Sequence, residues 1–413
     1  MIRGPSKIRT KFKLEQVTLM KKGQIPEYPF GCCRQRDNRW GLNSIGIGLA
    51  LLVLYSTGAA VARAAVGDVL ATFPFQAGTF IADPNQHLMY ATNPSAHAIE
   101  VINTQTLTVT STIVLPGTPT GMAMAPSGTL YVSDSTNSSV DVINTQSLSL
   151  LKSISIARTP YDVAVGLNNR LYVLDDTPNY PVGSPPDTIK QIDAVSGSQA
   201  GPDFPYPDAT YYGHLQMSPD QKTLYYAEAG LSPSTLKAFG VSTTTPTVLR
   251  EVETGTNGEA LALSHSGNLI AQADGGGGLV GPPYSITLFR SSDFSAVGSF
   301  NAGAYPNAIT FSPDDKFVYA SIAPGPSQVE IFSTTTFARL GQFSVPDDSS
   351  TMLTDSTGRQ LFVSFLGLYN GFHETVVYDT GYQVPEPATF WLLAIGVFAL
   401  WCHRRRLKPG TAT

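Results

Sequence analysis

The sequence contains very few cysteines, and none of them lies in its long middle part. Cys32, Cys33 and Cys402 are the three cysteines of the 413-residue chain, so residues 34–401 contain none. This absence excludes a disulfide framework and a cysteine metal site from that region. A cysteine-free region is compatible with an oxidising compartment, in which free thiols do not persist.

Charged residues are also scarce, at 14% of the chain, and the two signs are unevenly distributed. Residues 66–384 hold 11 Lys and Arg against 27 Asp and Glu, which gives a balance of −16. The other 15 basic residues lie in the first 63 positions and the last ten. Because phosphate recognition relies on clustered Lys and Arg, this acidic middle disfavours nucleic acid and anionic membrane surfaces as partners.

The common signatures of catalytic and metal sites are missing as well. The sequence has no HExxH, CxxC or GxSxG motif, and no two of its six histidines have metal-ligand spacing. His87 and His265 fall in predicted turns and are expected to face solvent. Asp274 precedes four glycines without a following Lys-Ser/Thr, which indicates a flexible loop rather than a phosphate site. Adjacent carboxylates such as Asp347-Asp348 are expected to be solvated in turns or to point to opposite faces of a strand. We therefore predict no catalytic residue, no metal and no cofactor.

A repeat of four short strands is the main signal that is present. The clearest copy runs from Gly121 to Pro160, with the turn Pro126-Ser127-Gly128 after its first strand. Its predicted strands are Gly121–Ala125, Thr129–Asp134, Ser139–Asn144 and Leu150–Ile156. Four strands in roughly 40 residues, repeated along a chain, are typical of a β-propeller blade.

Seven copies of this repeat fit the sequence. The second strand of each copy carries a large residue at one recurring place, at intervals of 41, 41, 53, 45, 49 and 43 residues. These residues are Tyr90, Tyr131, Tyr172, Tyr225, Ile270, Tyr319 and Phe362. We therefore predict an all-β fold, a seven-bladed β-propeller of four-stranded antiparallel blades, with an N-terminal signal helix and a short C-terminal hydrophobic helix.

The early copies resemble the YVTN family of β-propeller repeats. The resemblance is carried by Tyr131-Val132-Ser133-Asp134 and Val140-Asp141-Val142-Ile143-Asn144-Thr145, and it extends over roughly residues 80–160. The seventh copy lacks a last strand, because Glu374–Thr380 runs directly into the C-terminal segment. We expect Asp68–Gln76, within residues 66–78, to supply that strand and to close the ring, so that the propeller spans 66–382.

The N-terminal segment 1–64 has the pattern of an export signal. The apolar run Ile45–Ala62 follows Arg34, Arg36 and Arg39 and ends in small residues suited to cleavage by signal peptidase. An uncleaved membrane anchor is the alternative. The 44 residues ahead of the run leave the true start codon open, with Met20 as one candidate.

The C-terminal segment 384–413 resembles the PEP-CTERM sorting signal. It combines a proline-rich start, an apolar stretch at Phe390–Trp401 that is short for a membrane-spanning helix, and a cluster of three arginines. The signature residues are Pro385, Glu386, Pro387, Arg404, Arg405 and Arg406. The resemblance implies processing by an exosortase in a Gram-negative bacterium that makes extracellular polysaccharide, with transient anchoring in the inner membrane. An ordinary tail anchor is the alternative.

Polar residues where first strands begin near the ring axis are candidates for ligand binding. They offer a mixed set that suits a sugar or another small polar ligand, and they also suit a water-filled channel without a ligand. The set comprises Arg158, Tyr161, Asp162, Tyr212, His214, Glu259 and Asn307. The long loops between second and third strands lie on one face, and they are either functional or under no selection.

Two functions remain open at this point. The first is a non-enzymatic binding module at the cell surface or in the extracellular matrix, with extracellular polysaccharide or surface proteins as candidate partners. The second is a lactonase-like propeller hydrolase acting on a small sugar-derived substrate at the channel mouth. The second requires His214, Arg158 and Glu259 to converge there.

Overall fold

The computed structural model describes residues 64–382 except 84, 176–187, 206–211, 230–232, 257, 277–283, 304, 323–326 and 369. In this part of the chain 28 strands form seven four-stranded antiparallel sheets, which confirms the predicted propeller. The predicted signal helix and C-terminal helix lie outside the described residues. The domain boundaries that the sequence suggests at either end of the ring therefore stay predictions.

Each sheet is one blade, numbered 1 to 7 along the chain from its innermost strand. The first, innermost strands are β2 (Phe80–Asp83), β6 (Pro119–Met124), β10 (Pro160–Val165), β14 (Tyr212–Met217), β18 (Gly258–Leu263), β22 (Pro306–Phe311) and β26 (Ser349–Thr354). The second strands are β3 (Leu88–Asn93), β7 (Thr129–Asp134), β11 (Arg170–Asp175), β15 (Thr223–Ala229), β19 (Leu269–Asp274), β23 (Phe317–Ile322) and β27 (Gln360–Phe365).

The third and fourth strands continue each blade outward. The third strands are β4 (Ala98–Asn103), β8 (Ser139–Asn144), β12 (Thr188–Asp193), β16 (Thr235–Gly240), β20 (Ser285–Arg290), β24 (Gln328–Ser333) and β28 (Thr375–Asp379). The fourth strands are β1 (Val69–Phe73), β5 (Thr108–Val114), β9 (Ser149–Ser155), β13 (Phe204–Pro205), β17 (Thr247–Glu253), β21 (Ala296–Asn301) and β25 (Arg339–Ser344). Two single-turn 3-10 helices, Pro94–Ala96 and Leu167–Asn169, lie between strands.

The ring is closed by β1, the first strand of the described residues, as the sequence predicts. β1 lies antiparallel to β28, with Val69 opposite Tyr378 and Phe73 opposite Thr375. The amide of Asp379 donates to the carbonyl of Asp68 at 2.9 Å. Blade 7 therefore combines residues from both ends of the propeller, and its outer strand is paired.

The core lies between the blades rather than within any one of them. The large second-strand residues that define the repeat, such as Tyr90, Tyr172 and Phe362, are fully buried. They pack with residues of neighbouring blades; Tyr172, for example, belongs to a cluster that also contains Tyr226 and Phe239 of blade 4. A single blade would leave these faces in water, which is why the repeat is stable as a ring.

The repeated Asn-Thr after third strands has a structural cause. Asn103 and Asn144 each accept a hydrogen bond from the amide two residues on, which forms the turn to the fourth strand. The hydroxyl of the next residue donates to a carbonyl in the turn before the second strand, as Thr104 does to His87 at 3.0 Å. The corresponding hydroxyls in other blades are those of Thr145, Ser291, Thr334 and Thr380. This hydroxyl contact thus joins two turns at the same edge of five of the seven blades.

Candidate functional site

The central channel forms a cavity in the described ring. It has a volume of about 880 Å³ and is lined by the innermost strands of all seven blades. Its wall is polar and apolar in nearly equal parts. Polar groups enter it mainly from the ends of these strands, and three of them belong to the set predicted from sequence: Asp162, His214 and Asn307.

Asp162 joins blade 3 to both of its neighbours. One carboxylate oxygen accepts the backbone amide of Leu215 in blade 4 at 2.9 Å, and the other accepts the amide of Val163 at 2.8 Å. On the other side Gly121 of blade 2 lies so close that a Cβ there would come within 2.4 Å of Asp162 Oδ1. Burial raises the pKa of Asp162 to about 6, against the effect of these two amides.

Asn307 and His214 enter the same channel from blades 6 and 4. The side-chain amide of Asn307 donates to Asp348 Oδ1 at 2.6 Å and so connects blade 6 to blade 7. Burial raises the pKa of Asp348, the hydrogen bond from Asn307 opposes this shift, and neighbouring Asp347 adds to it. The channel wall therefore combines an imidazole, a carboxylate and an amide from the innermost strands of three blades.

The other predicted residues are not in this group. Arg158 forms an ion pair with buried Asp175 at 3.5 Å, and its side chain is largely covered. Tyr161 packs against the hydrophobic cluster between blades 3 and 4, and it lies at a register shift of β10 between Pro160 and Asp162. Tyr212 and Glu259 belong to β14 and β18, but their side chains lie outside the described part of the structure.

The expectation for Asp347-Asp348 was wrong. Both carboxylates are buried rather than solvated, and Asp347 accepts the backbone amides of Asp348 at 2.8 Å, Asn370 at 2.8 Å and Phe372 at 3.3 Å. Asp347 thereby holds the loop between the second and third strands of blade 7. By contrast, His87 and His265 are exposed in turns, as predicted.

Sequence reasoning missed polar channel residues on the same strands. Thr79, Gln216 and Ser350 line the cavity, and the turns at its far end contribute Asn85 and Gln221. Thr79, Gln216 and Ser350 lie in or next to innermost strands, and Gln216, for example, is two residues after His214. Because side chains two residues apart on a strand point to the same side, these residues could have been predicted from the sequence. Within the described ranges no group of three His, Cys, Asp or Glu could hold a metal ion, and no helix there is long and apolar enough to cross a membrane.

Comparison with solved structures agrees with the architecture. Kuenenia stuttgartiensis hydrazine synthase superimposes with a TM-score of 0.58 at 15% identity, over 78% of this chain and 99% of that one. The β-propeller domain of Cps50 (Swd1) from Myceliophteria thermophila superimposes with a TM-score of 0.60 at 10% identity, over 76% and 99%. At these identities the likeness concerns the fold alone. No curated protein matches the chain.

The C-terminal segment gives the functional assignment that the fold does not. The model of the PEP-CTERM protein-sorting motif matches residues 383–406, which include Pro385, Glu386, Pro387 and the arginines 404–406. This motif implies an exported protein that is processed at the membrane by an exosortase in a Gram-negative bacterium. The chain is therefore a seven-bladed β-propeller that carries a PEP-CTERM sorting motif.

Proposed function

We propose that this protein is an extracellular binding module whose central channel takes a small polar ligand, such as a sugar unit of extracellular polysaccharide. The observation that carries the proposal is the channel itself, with Asp162, His214 and Asn307 on its wall. A concave site that presents a small number of placed polar groups is typical of small-ligand binding. The two amides on Asp162 and the bond from Asn307 to Asp348 fix Asp162 and Asn307 in place before any ligand arrives.

The sorting motif supports a location at the cell surface or in the extracellular matrix. A propeller released or attached outside the cell meets polysaccharide and surface proteins before it meets any cytoplasmic partner. Replacing Pro385, Glu386 and Pro387 by alanine tests this part. We expect the unprocessed chain to accumulate in the inner-membrane fraction, whereas the unaltered chain leaves it. Equal distribution of both chains would contradict the role of the motif in location.

Binding is tested on the full-length chain in detergent, first with a glycan array. The oligosaccharides that the array identifies as ligands are then titrated to measure their affinity. His214→Ala should weaken binding at least tenfold, because it removes a polar group from the channel wall. His97→Gln is the matched control, since His97 is exposed in a turn of blade 1. Unchanged affinity in His214→Ala, with His97→Gln also unchanged, would place any binding elsewhere.

A lactonase-like hydrolase is a second candidate, supported by one observation. Asp162 has a pKa of about 6 and lies on the channel wall with His214, which suits a general base near neutral pH. The convergence required of Arg158 is not observed, because Arg158 pairs with Asp175. Hydrolysis of sugar lactones that is lost in both Asp162→Asn and His214→Ala would favour the enzyme over the binding module.

A further inference from the structure

The interface between blades 4 and 5 contains a group of buried oxygen atoms that make no hydrogen bond in the described structure. Asp274 Oδ2, Gln272 Oε1 and Ser285 Oγ have no hydrogen-bond partner in the described structure, and each residue is at most 1% exposed. Buried polar atoms are almost always satisfied by protein, water or a bound ion. Three such atoms close together therefore indicate an occupant.

Strand register places the three side chains together. Gln272 is opposite Thr287 and Ala273 is opposite Ile286, so Asp274 and Ser285 are the next pair on these strands. Gln272 and Asp274 are two residues apart and share one face. Ile270 on that face packs with blade 4, which assigns the face to the interface between blades 4 and 5. Directly opposed side chains have Cβ atoms about 5 Å apart.

The orientation of the Gln272 amide is fixed by its neighbours. The hydroxyl of Thr254 donates to the carbonyl of Ser234 at 3.1 Å, so its oxygen is available only as an acceptor. Gln272 Nε2 donates to that oxygen at 2.7 Å. The carbonyl oxygen of Gln272 consequently points away from Thr254 and stays available as an acceptor.

The carboxylate of Asp274 is held but not neutralised. Its Oδ1 accepts the backbone amide of Gly255 at 3.2 Å, and a Cβ on Gly255 would come within 2.4 Å of Asp274 Cγ. No ion pair involving Asp274 exists among the described residues. The acidic and basic residues of the second and third strands of blade 4, Glu228 and Lys237, alternate onto the face toward blade 3, on which Tyr226 packs. Arg250 of the fourth strand faces blade 5, where its guanidinium lies 5.9 Å from the ring of Phe294.

We propose that Asp274, Gln272 and Ser285 bind one monovalent cation, Na⁺ or K⁺, between blades 4 and 5. Carboxylate, amide carbonyl and hydroxyl oxygens are the ligands that hard cations prefer. A single carboxylate balances a single positive charge, whereas Ca²⁺ would leave excess charge in a buried site. A water molecule could donate to two of the oxygens but would not compensate the buried negative charge.

The test is thermal unfolding of the full-length chain in detergent at pH 8, in NaCl, KCl or choline chloride at equal ionic strength. NaCl or KCl should raise Tm by about 3 °C over choline chloride, as expected for a site at roughly ten times its Kd. Asp274→Asn should remove this difference, and Ser285→Ala should reduce it. The matched control is Asp134→Asn, because Asp134 occupies the same position in blade 2 and its carboxylate is satisfied by Thr136 and Asn137.

A direct binding measurement separates the cation from a general salt effect. The ²³Na resonance should broaden with the unaltered chain and with Asp134→Asn, and an excess of K⁺ should reverse the broadening. Identical Tm values in the three salts, or equal ²³Na broadening by Asp274→Asn, would overturn the proposal. The same unfolding measurement in CaCl₂ checks the charge of the ion. A rise in Tm in CaCl₂ but not in NaCl or KCl would overturn the assignment of a monovalent ion.

Discussion

Blades 3 and 5 use the same position in two opposite ways. The last residue of the second strand is Asp175 in blade 3 and Asp274 in blade 5, and both are buried. Asp175 accepts hydrogen bonds from Thr188 and lies 3.5 Å from Arg158 and 3.7 Å from Lys190. Asp274 accepts a single backbone amide, from Gly255.

This difference shows that the propeller backbone determines burial at this position but not how the buried charge is compensated. In blade 3 two segments each supply a cation. Arg158 lies in the link before the first strand, and Lys190 lies in the third strand. In blade 5 the third strand supplies the neutral residues Ser285 and Thr287 instead. Burial raises the pKa of Asp274 to about 7, and the amide of Gly255 only partly opposes this.

The largest expected effect is the pH dependence that Asp274 gives to stability. Because its pKa rises from 3.8 unfolded to about 7 folded, the folded state holds the proton more tightly between these values. The free energy of unfolding should therefore fall as pH rises from 4 to 7, by up to roughly 4 kcal/mol, and then level off. Chemical denaturation in choline chloride at pH 4.5 and 8 measures this fall. Asp274→Asn should remove the part of the fall in the free energy of unfolding that is due to Asp274. A variant with the same pH dependence as the unaltered chain would contradict the assignment.

Replacing the other carboxylate should have the opposite sign. Asp175→Asn leaves the cations of Arg158 and Lys190 without their buried partner and should cost about 3 kcal/mol at pH 7. Asp274→Asn at the same pH and in choline chloride should stabilise. Asp203→Asn is the control, because Asp203 contacts Lys190 from a more exposed position. Changes of the same sign in Asp175→Asn and Asp274→Asn would invalidate the comparison.

A smaller effect should follow from filling the space against Asp274. Gly255→Ala places a Cβ within 2.4 Å of the Asp274 carboxyl carbon and should cost about 2 kcal/mol in the free energy of unfolding. Gly341→Ala is the control, since the atom nearest to a Cβ there, outside its two chain neighbours, is Ile331 Cδ1 at 4.0 Å. Urea denaturation of both variants measures the difference. Equal stability would mean that Asp274 is free to move.

The smallest expected effect is the coupling between Arg158 and Asp175. Because the Arg158 side chain is 22% exposed and Lys190 shares the carboxylate, a double-mutant cycle with Arg158→Met and Asp175→Asn should give about 1 kcal/mol. A coupling of zero would leave Lys190 as the sole partner that matters.

Most of the architecture could be predicted because it depends on local patterns. In blade 2 the second and third strands begin and end where the sequence predicts, and the first strand differs by one or two residues. The ring closure was also predictable, since the seventh repeat lacks a strand and the segment before the first repeat supplies one. Alternation and turn residues carry this information within a few positions of each other.

The site was predictable only in part, because its contacts join residues far apart in sequence. Asp162 and His214 could be assigned to the channel from their strand positions. The pairing of Arg158 with Asp175 depends on how the link between blades packs, which no local pattern encodes. Likewise, Asp347 is buried because a loop more than twenty residues later donates to it.

The occupant of the channel decides the proposed function most directly. A crystal structure of the protein soaked with oligosaccharides from its own bacterium's extracellular polysaccharide would show this occupant. We predict sugar density within hydrogen-bond distance of Asp162, His214 or Asn307. Sugar bound only on the outer strands, with ordered water alone in the channel, would contradict the proposed function.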